Sequence, residues 1–96
     1  MKLYLVTNSY GGGYGYYDSM VVAAKSPKDA RNLHPNYFVT HIQNNEWHGT
    51  YSGTNESYLY SNTDWLPYLN IDQLEVKYLG ETKLKQGVIL ASFNAG

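Results

Sequence analysis

The chain has 96 residues, no cysteine, and seven basic against eight acidic residues, which give a formal net charge of −1. This length predicts a single domain over residues 1–96 with a small core. The lack of cysteine excludes disulfides and thiolate metal sites. Because neither charge sign is clustered, the sequence favours neither direct nucleic-acid binding nor mimicry of DNA. Eleven tyrosines favour polar and aromatic recognition instead.

The N-terminal segment 1–7 turns polar after a few apolar residues. That is too short for a signal peptide or a membrane span, so we expect a cytoplasmic protein that does not bind membranes. Residues 2–7 predict a first strand with apolar residues on both faces, and residues 18–24 predict a second one that pairs with it as a hairpin.

The connecting segment alternates glycine with tyrosine, which is typical of a mobile loop that presents ring faces to a partner. We expect a ligand to contact its tyrosines and the acidic residue that follows: Tyr14, Tyr16, Tyr17 and Asp18.

The stretch Ser26-Pro27-Lys28-Asp29 predicts a helix start, because serine caps free amides and proline suits the first position. The helix should be short, bury Ala30 and Leu33, and end before the proline at position 35. Its first amides, together with Arg31, form a candidate phosphate site at Ser26. The alternative is a capped surface helix with a solvated arginine.

Residues 36–70 form a polar and aromatic insertion or arm within the domain. We predict a strand over 37–43, a turn at Asn44-Asn45 and a returning strand over 47–51. An aromatic stretch then packs across this hairpin: Tyr58, Tyr60, Trp65 and Tyr68. A subunit-crossing arm and a disordered loop remain alternatives, although disordered segments usually lack aromatic residues.

In the final third, residues 73–78 alternate apolar and polar side chains, as a strand with one wet face does. A polar turn over 80–87 follows, and residues 88–93 are apolar on both faces, which predicts an interior strand. The expected fold is α+β: a small, mostly antiparallel sheet in the order β-β-α, variable middle, β-β, with one short helix packed on one face.

The histidines recur at a seven-residue spacing: His34, His41 and His48. That spacing puts neighbours on opposite faces of a strand, and a closed zinc site would lack further ligands, so we expect no metal. The glycine-rich stretch 11–15 fits no phosphate-loop motif, and no serine lies in a hydrolase motif. We therefore expect neither an enzyme nor a cofactor.

Four segments carry a resemblance: 17–26, 29–31, 34–35 and 87–96. They resemble a group of small proteins encoded by tailed bacteriophages. The resemblance implies a viral protein that acts in the host cytoplasm, outside the virion, against host defence. Such counter-defence proteins include inhibitors that bind a defence protein and sponges that sequester a nucleotide-derived immune signal.

Our leading hypothesis is a sponge, in which the loop tyrosines, Trp47 and Trp65 offer rings that stack on a nucleotide-type ligand. His34 is a further ligand-binding candidate, and the alternative for Trp65 is a position in the core. The alternative is an anti-CRISPR-like inhibitor that binds a host defence protein through tyrosine and tryptophan side chains. A further alternative is an enzyme that degrades a signal nucleotide with one of the three histidines or an acidic residue as general base. The small core also predicts a homo-oligomer.

Overall fold

The computed structural model describes residues 1–9 and 15–94. It confirms a small α+β fold built from antiparallel sheets and short helices. The elements in chain order are β1 (Lys2–Thr7), β2 (Tyr16–Ala24), α1 (Pro27–Arg31), β3 (Val39–Gln43), β4 (Glu46–Thr50), β5 (Ser57–Leu59), a 3₁₀ helix (Tyr68–Gln73), β6 (Glu75–Glu81) and β7 (Gly87–Asn94). None of the helices in the described segments is long and apolar enough to cross a membrane.

A four-stranded antiparallel sheet has the order β6-β1-β2-β7. The predicted hairpin of β1 and β2 is present, with Leu5 opposite Val21 and Val6 opposite Met20. Because side chains alternate between the faces of a strand, Val6 and Met20 enter the core, where both are almost fully buried. Leu5 and Val21 therefore lie on the other face.

The prediction that residues 88–93 form an interior strand is wrong. Strand β7 is an edge of the sheet, hydrogen-bonded to β2, and the interior positions belong to β1 and β2. Its large apolar side chains are exposed: Val88, Ile89, Leu90 and Phe93. An apolar pattern shows that the side chains of a strand favour burial. It does not show whether another element of the same chain packs against them.

Helix α1 starts where predicted, because the Ser26 hydroxyl accepts the backbone amide of Asp29 at 3.2 Å and Pro27 takes the first helical position. The helix has only five residues and ends at Arg31. Pro35 would have allowed it to continue for further residues. Ala30 is fully buried, whereas Leu33 lies beyond the helix and packs against the core while partly exposed. Contacts of α1 with β1, β2 and β6 hold it on the core side of the sheet.

The middle of the chain is an ordered three-stranded sheet in the order β3-β4-β5. Asn44 and Asn45 have φ angles of 54° and 60°, as the two central residues of a tight hairpin turn require. The predicted hairpin is therefore present, whereas β5 and the 3₁₀ helix Tyr68–Gln73 were not predicted. A Cβ on Gly49 would collide with the Tyr58 ring and lie 2.6 Å from the carbonyl oxygen of Phe38.

The core lies between this sheet, α1 and the inner face of the four-stranded sheet. Its buried members are Tyr4, Val6, Met20, Val22, Ala24, Ala30, Trp47, Tyr60, Trp65 and Leu74. Trp65, which could have belonged to a binding surface, is 4% exposed. Tyr68 packs its ring edge-on against Trp47 at 5.3 Å, so much of the aromatic stretch serves packing.

Candidate functional site

His34 is buried at the junction between the layers. Three aromatic rings surround its imidazole edge-on, at centroid distances of 5.0 Å for Trp47, 5.1 Å for Tyr60 and 6.5 Å for Trp65. His34 reaches this position because α1 ends three residues earlier and Pro35, also buried, directs the chain out of helical geometry.

The protonation state of His34 follows from its partners. Its Nδ1 accepts the backbone N–H of Asn36 at 2.9 Å, so the proton of the neutral ring is on Nε2. Nε2 lies 3.8 Å from Oδ1 of Asp64, too far for a hydrogen bond. Burial lowers the pKa of His34 to about 4, although the nearby Asp64 charge opposes the shift. The pair is therefore a neutral imidazole beside a carboxylate, not an ion pair, near neutral pH.

Asp64 links three parts of the chain. Its Oδ2 accepts the Tyr60 hydroxyl at 2.7 Å and the Asn36 side-chain amide at 3.1 Å, and its backbone carbonyl accepts the amide of Tyr17 at 2.9 Å. Its Oδ1 is buried and accepts no hydrogen bond. Burial, followed by the hydrogen bond to Asp64, raises the pKa of Tyr60. This network fixes the segment 60–65 against β2.

An open groove of about 470 Å³ lies beside this network. Residues 88–91 of β7 form one wall, and the segment around His34 and the β3–β4 hairpin form the other. The described residues that line it include no Lys, Arg, Asp or Glu: Asn32, Leu33, His34, Pro35, Tyr37, Val39, Thr40, His41, Ile42, Trp47, Val88, Ile89, Leu90 and Ala91. The groove is thus apolar and aromatic with a neutral polar rim.

The structure does not bring the eight predicted site residues together. His34 and Trp47 line the groove, Tyr16 lines a second depression together with Trp47, and Tyr17 lines a third. Asp18 is exposed on β2, and Tyr14 lies outside the described residues.

The two residues of the predicted phosphate site have structural partners. The Ser26 hydroxyl caps α1, and Nε of Arg31 donates to the backbone carbonyl of Leu74 at 3.2 Å. The capping contact of Ser26 matches the alternative of a capped surface helix. Arg31 differs from that alternative, because its side chain is hydrogen-bonded to the segment before β6 and is not simply solvated.

Sequence reasoning missed the pairing of His41 with His48. The turn at Asn44-Asn45 reverses the chain, so the two residues are opposite each other on β3 and β4, with ring centroids 5.7 Å apart. The two-residue turn predicted at Asn44-Asn45 could have shown this pairing, because the length of a hairpin turn sets which residues are opposite each other. Both ring nitrogens of His48 are buried without a hydrogen-bond partner. Within 1–9 and 15–94, no three His, Asp or Glu residues form a group that could hold a metal ion.

No protein-family model matches the chain, and no curated protein or solved structure matches it either.

Proposed function

We propose that the protein is a non-catalytic binding module that holds an uncharged, extended segment of another protein along β7 and in the adjoining groove. The observation that carries this proposal is the edge position of β7, an eight-residue strand that exposes large apolar side chains. An edge strand offers unpaired backbone groups to an added strand, and the neighbouring groove accommodates alternate side chains of that strand.

The two edges of the four-stranded sheet differ in charge. Strand β6 carries Glu75, Lys77 and Glu81 among its seven residues, which is how proteins commonly block unwanted strand pairing. Strand β7 carries no charged residue. An uncharged partner strand therefore meets no unpaired charge at β7, and its binding should depend little on salt.

The groove adds the aromatic component of an interface. Tyr37, which lines it, is 82% exposed, and its ring lies 4.4 Å from that of Phe38, which is 52% exposed. Exposed tyrosines surrounded by neutral polar groups are typical of surfaces that bind other proteins non-obligately. The phage resemblance suggests a host defence protein as the partner.

Sequestration of a nucleotide receives less support from the same groove. Its described lining contains no Lys or Arg, and the lowered pKa of His34 leaves that ring uncharged near neutral pH. A phosphate would therefore find no lysine, no arginine and no charged His34 there. Catalysis by His34 is disfavoured as well, because its acceptor nitrogen already binds the Asn36 amide.

The test uses the full chain as immobilised bait in a lysate of the bacterial host, followed by calorimetric titration of the captured, purified protein. Ile89→Lys on β7 should weaken binding by about tenfold or more, equivalent to about 1.4 kcal/mol, because a charged edge opposes strand addition. Leu79→Lys on the β6 edge is the matched control, since Leu79 is similarly exposed.

Equal affinities of wild type and Ile89→Lys for the captured protein would contradict the proposal. The bait is also denatured, and any released small molecule is identified by mass spectrometry. A released nucleotide together with no captured protein would replace the proposal by sequestration.

A further inference from the structure

Strands β1 and β7 begin, and strands β2 and β6 end, at the same end of the four-stranded sheet. Lys2 at the start of β1 is opposite Ala24 at the end of β2, and it is also opposite Glu81 at the end of β6. Ala23 is in turn opposite Gly87, where β7 begins. Charged residues that flank these strands therefore lie at one end of the molecule, although they are far apart in sequence.

The connection from β6 to β7 brings further lysines to this end. It covers residues 82–86 and passes from one edge of the sheet to the other, beside the ends of β1 and β2. The Thr82 amide donates to the Met1 carbonyl at 3.0 Å, which holds the connection against β1. Two lysines of the connection thus join three that flank β1, follow β2 or start α1. Together they define the lysine end: Lys2, Lys25, Lys28, Lys83 and Lys85.

The fold does not neutralise the charges of the lysine end. All five lysines are exposed, and in the part of the chain that the structure describes none of them forms an ion pair. Two carboxylates share this end, Asp29 and Glu81, and Glu81 accepts the Tyr78 hydroxyl at 2.7 Å. The other six of the eight acidic residues lie elsewhere. A chain with a net charge of −1 therefore has a basic end.

We infer that the lysine end binds the phosphate backbone of double-stranded DNA without reading its sequence. Lysine is depleted in interfaces between proteins, whereas lysines that neutralise phosphates release the counterions of DNA. The lysine end contains no arginine, the side chain that most often reads guanine. Residues 25–28 and 82–86 include no aromatic side chain, so an unpaired base would find no ring there on which to stack.

The size of the lysine end fits a duplex. Four strands about 4.8 Å apart spread it over about 15 Å, and about 15 Å of duplex carries roughly nine phosphate charges. An anionic membrane is less favoured, because proteins that bind a membrane surface also bury apolar side chains in it. The connection 82–86 offers one large apolar side chain, Leu84, which is 54% exposed.

The sequence analysis disfavoured nucleic-acid binding because the lysines form no block along the chain. They come from three separate segments, and only the topology of the sheet gathers them. The inference does not depend on the proposed function, because none of the five lysines lines the groove. Failure of either proposal therefore leaves the other intact.

The experiment is fluorescence anisotropy of a labelled DNA duplex of about 20 base pairs, titrated with the full chain from about 25 to about 200 mM sodium chloride. The wild type should bind with a dissociation constant of about 1–100 μM at about 0.1 M salt, as sequence-independent binding does. Lys85→Glu should weaken binding by about tenfold and make the dependence of log affinity on log salt shallower by about one.

The matched control is Lys77→Glu, which changes the net charge by the same amount. Lys77 is also exposed but lies within β6, opposite Leu5. Its position is four residues before the end of β6, roughly 13 Å away, beyond the screening length of about 10 Å at about 0.1 M salt. Lys77→Glu should therefore bind the duplex like the wild type. Circular dichroism shows whether each variant folds, and Lys83→Glu replaces Lys85→Glu if the latter does not.

A folded wild type that does not bind the duplex at the lowest salt would overturn the inference. So would equal weakening by Lys85→Glu and Lys77→Glu, because the lysine end would then have no special role. Vesicles that contain phosphatidylserine and soluble polyglutamate are the other two probes. Binding to either of them without binding to the duplex would assign the lysine end to a membrane surface or to an acidic protein instead.

Discussion

Nε2 of His34 lies 3.8 Å from Oδ1 of Asp64, and the imidazole is held neutral although a carboxylate faces it. The cause is burial, since the His34 side chain is 1% exposed and the desolvation of a charged ring outweighs the attraction of Asp64. The stability of the fold should therefore depend on pH through His34.

We predict that the protein loses stability as the pH falls below neutrality. The ordinary pKa of histidine, 6.5, describes the unfolded chain, and burial lowers the folded value to about 4. The unfolded state therefore binds the proton first, so stability is full above pH 6.5 and falls as the pH drops from 6.5 to 4. The loss should approach about 3 kcal/mol, measured as the free energy of unfolding in urea.

The variant His34→Gln should show a flatter pH dependence of the free energy of unfolding over this window. Asp64 and Tyr60 are the titratable groups that face His34. Because both remain in His34→Gln, the difference in slope reports His34 alone. Parallel pH profiles for wild type and His34→Gln would refute the prediction.

We predict that Tyr60→Phe destabilises the protein by about 1.5–3 kcal/mol, because it removes a buried hydrogen bond to the Asp64 carboxylate. The matched control is Tyr78→Phe, since the Tyr78 hydroxyl donates to Glu81 at the same 2.7 Å distance but in an exposed position. That control should unfold at the wild-type urea midpoint. Similar midpoints for both variants would show that burial of the Asp64 network does not matter.

The sequence predicted the parts of the fold that local chemistry determines. Ser26 and Pro27 start α1, and Asn44-Asn45 makes the hairpin turn, because each depends on the backbone preferences of a few adjacent residues. Strand β5 was missed because Ser57–Leu59 is three residues long within a polar segment. The existence of a strand there depends on pairing with β4, which is a tertiary contact.

The candidate site was harder to predict. Asp64 is 30 positions from His34 in sequence, and no motif connects them, so only the packing of the two layers brings them together. The prediction that β7 is an interior strand was wrong for a related reason, because an apolar strand at the edge of a sheet has the same sequence pattern as one in the interior. The pattern nevertheless located the exposed apolar strand on which the proposed function rests.

We predict that His48→Leu stabilises the protein by about 1 kcal/mol. Both ring nitrogens of His48 are buried without a partner, and an apolar side chain of similar size removes that unsatisfied polar group. His41→Leu is the control, because the His41 ring is hydrogen-bonded to Thr40 at 2.9 Å and Gln43 at 3.3 Å. Thermal unfolding should give a higher midpoint for His48→Leu only. A lower midpoint would mean that the ring of His48 binds a group that stabilises it.

We predict that Arg31→Ala lowers stability by about 1 kcal/mol and leaves nucleotide binding unaffected. Its Nε donates to the Leu74 carbonyl at 3.2 Å and so ties the end of α1 to the chain just before β6. Arg31→Lys keeps the charge but loses the guanidinium geometry, so it should be destabilised almost as much. The measurements are urea unfolding and calorimetric titration of wild type and both variants with adenosine monophosphate. A contrary result would have three parts: the wild type binds the nucleotide, Arg31→Ala does not, and Arg31→Lys binds it more weakly than the wild type. That result would show that Arg31 holds a phosphate, and it would support the sequestration hypothesis.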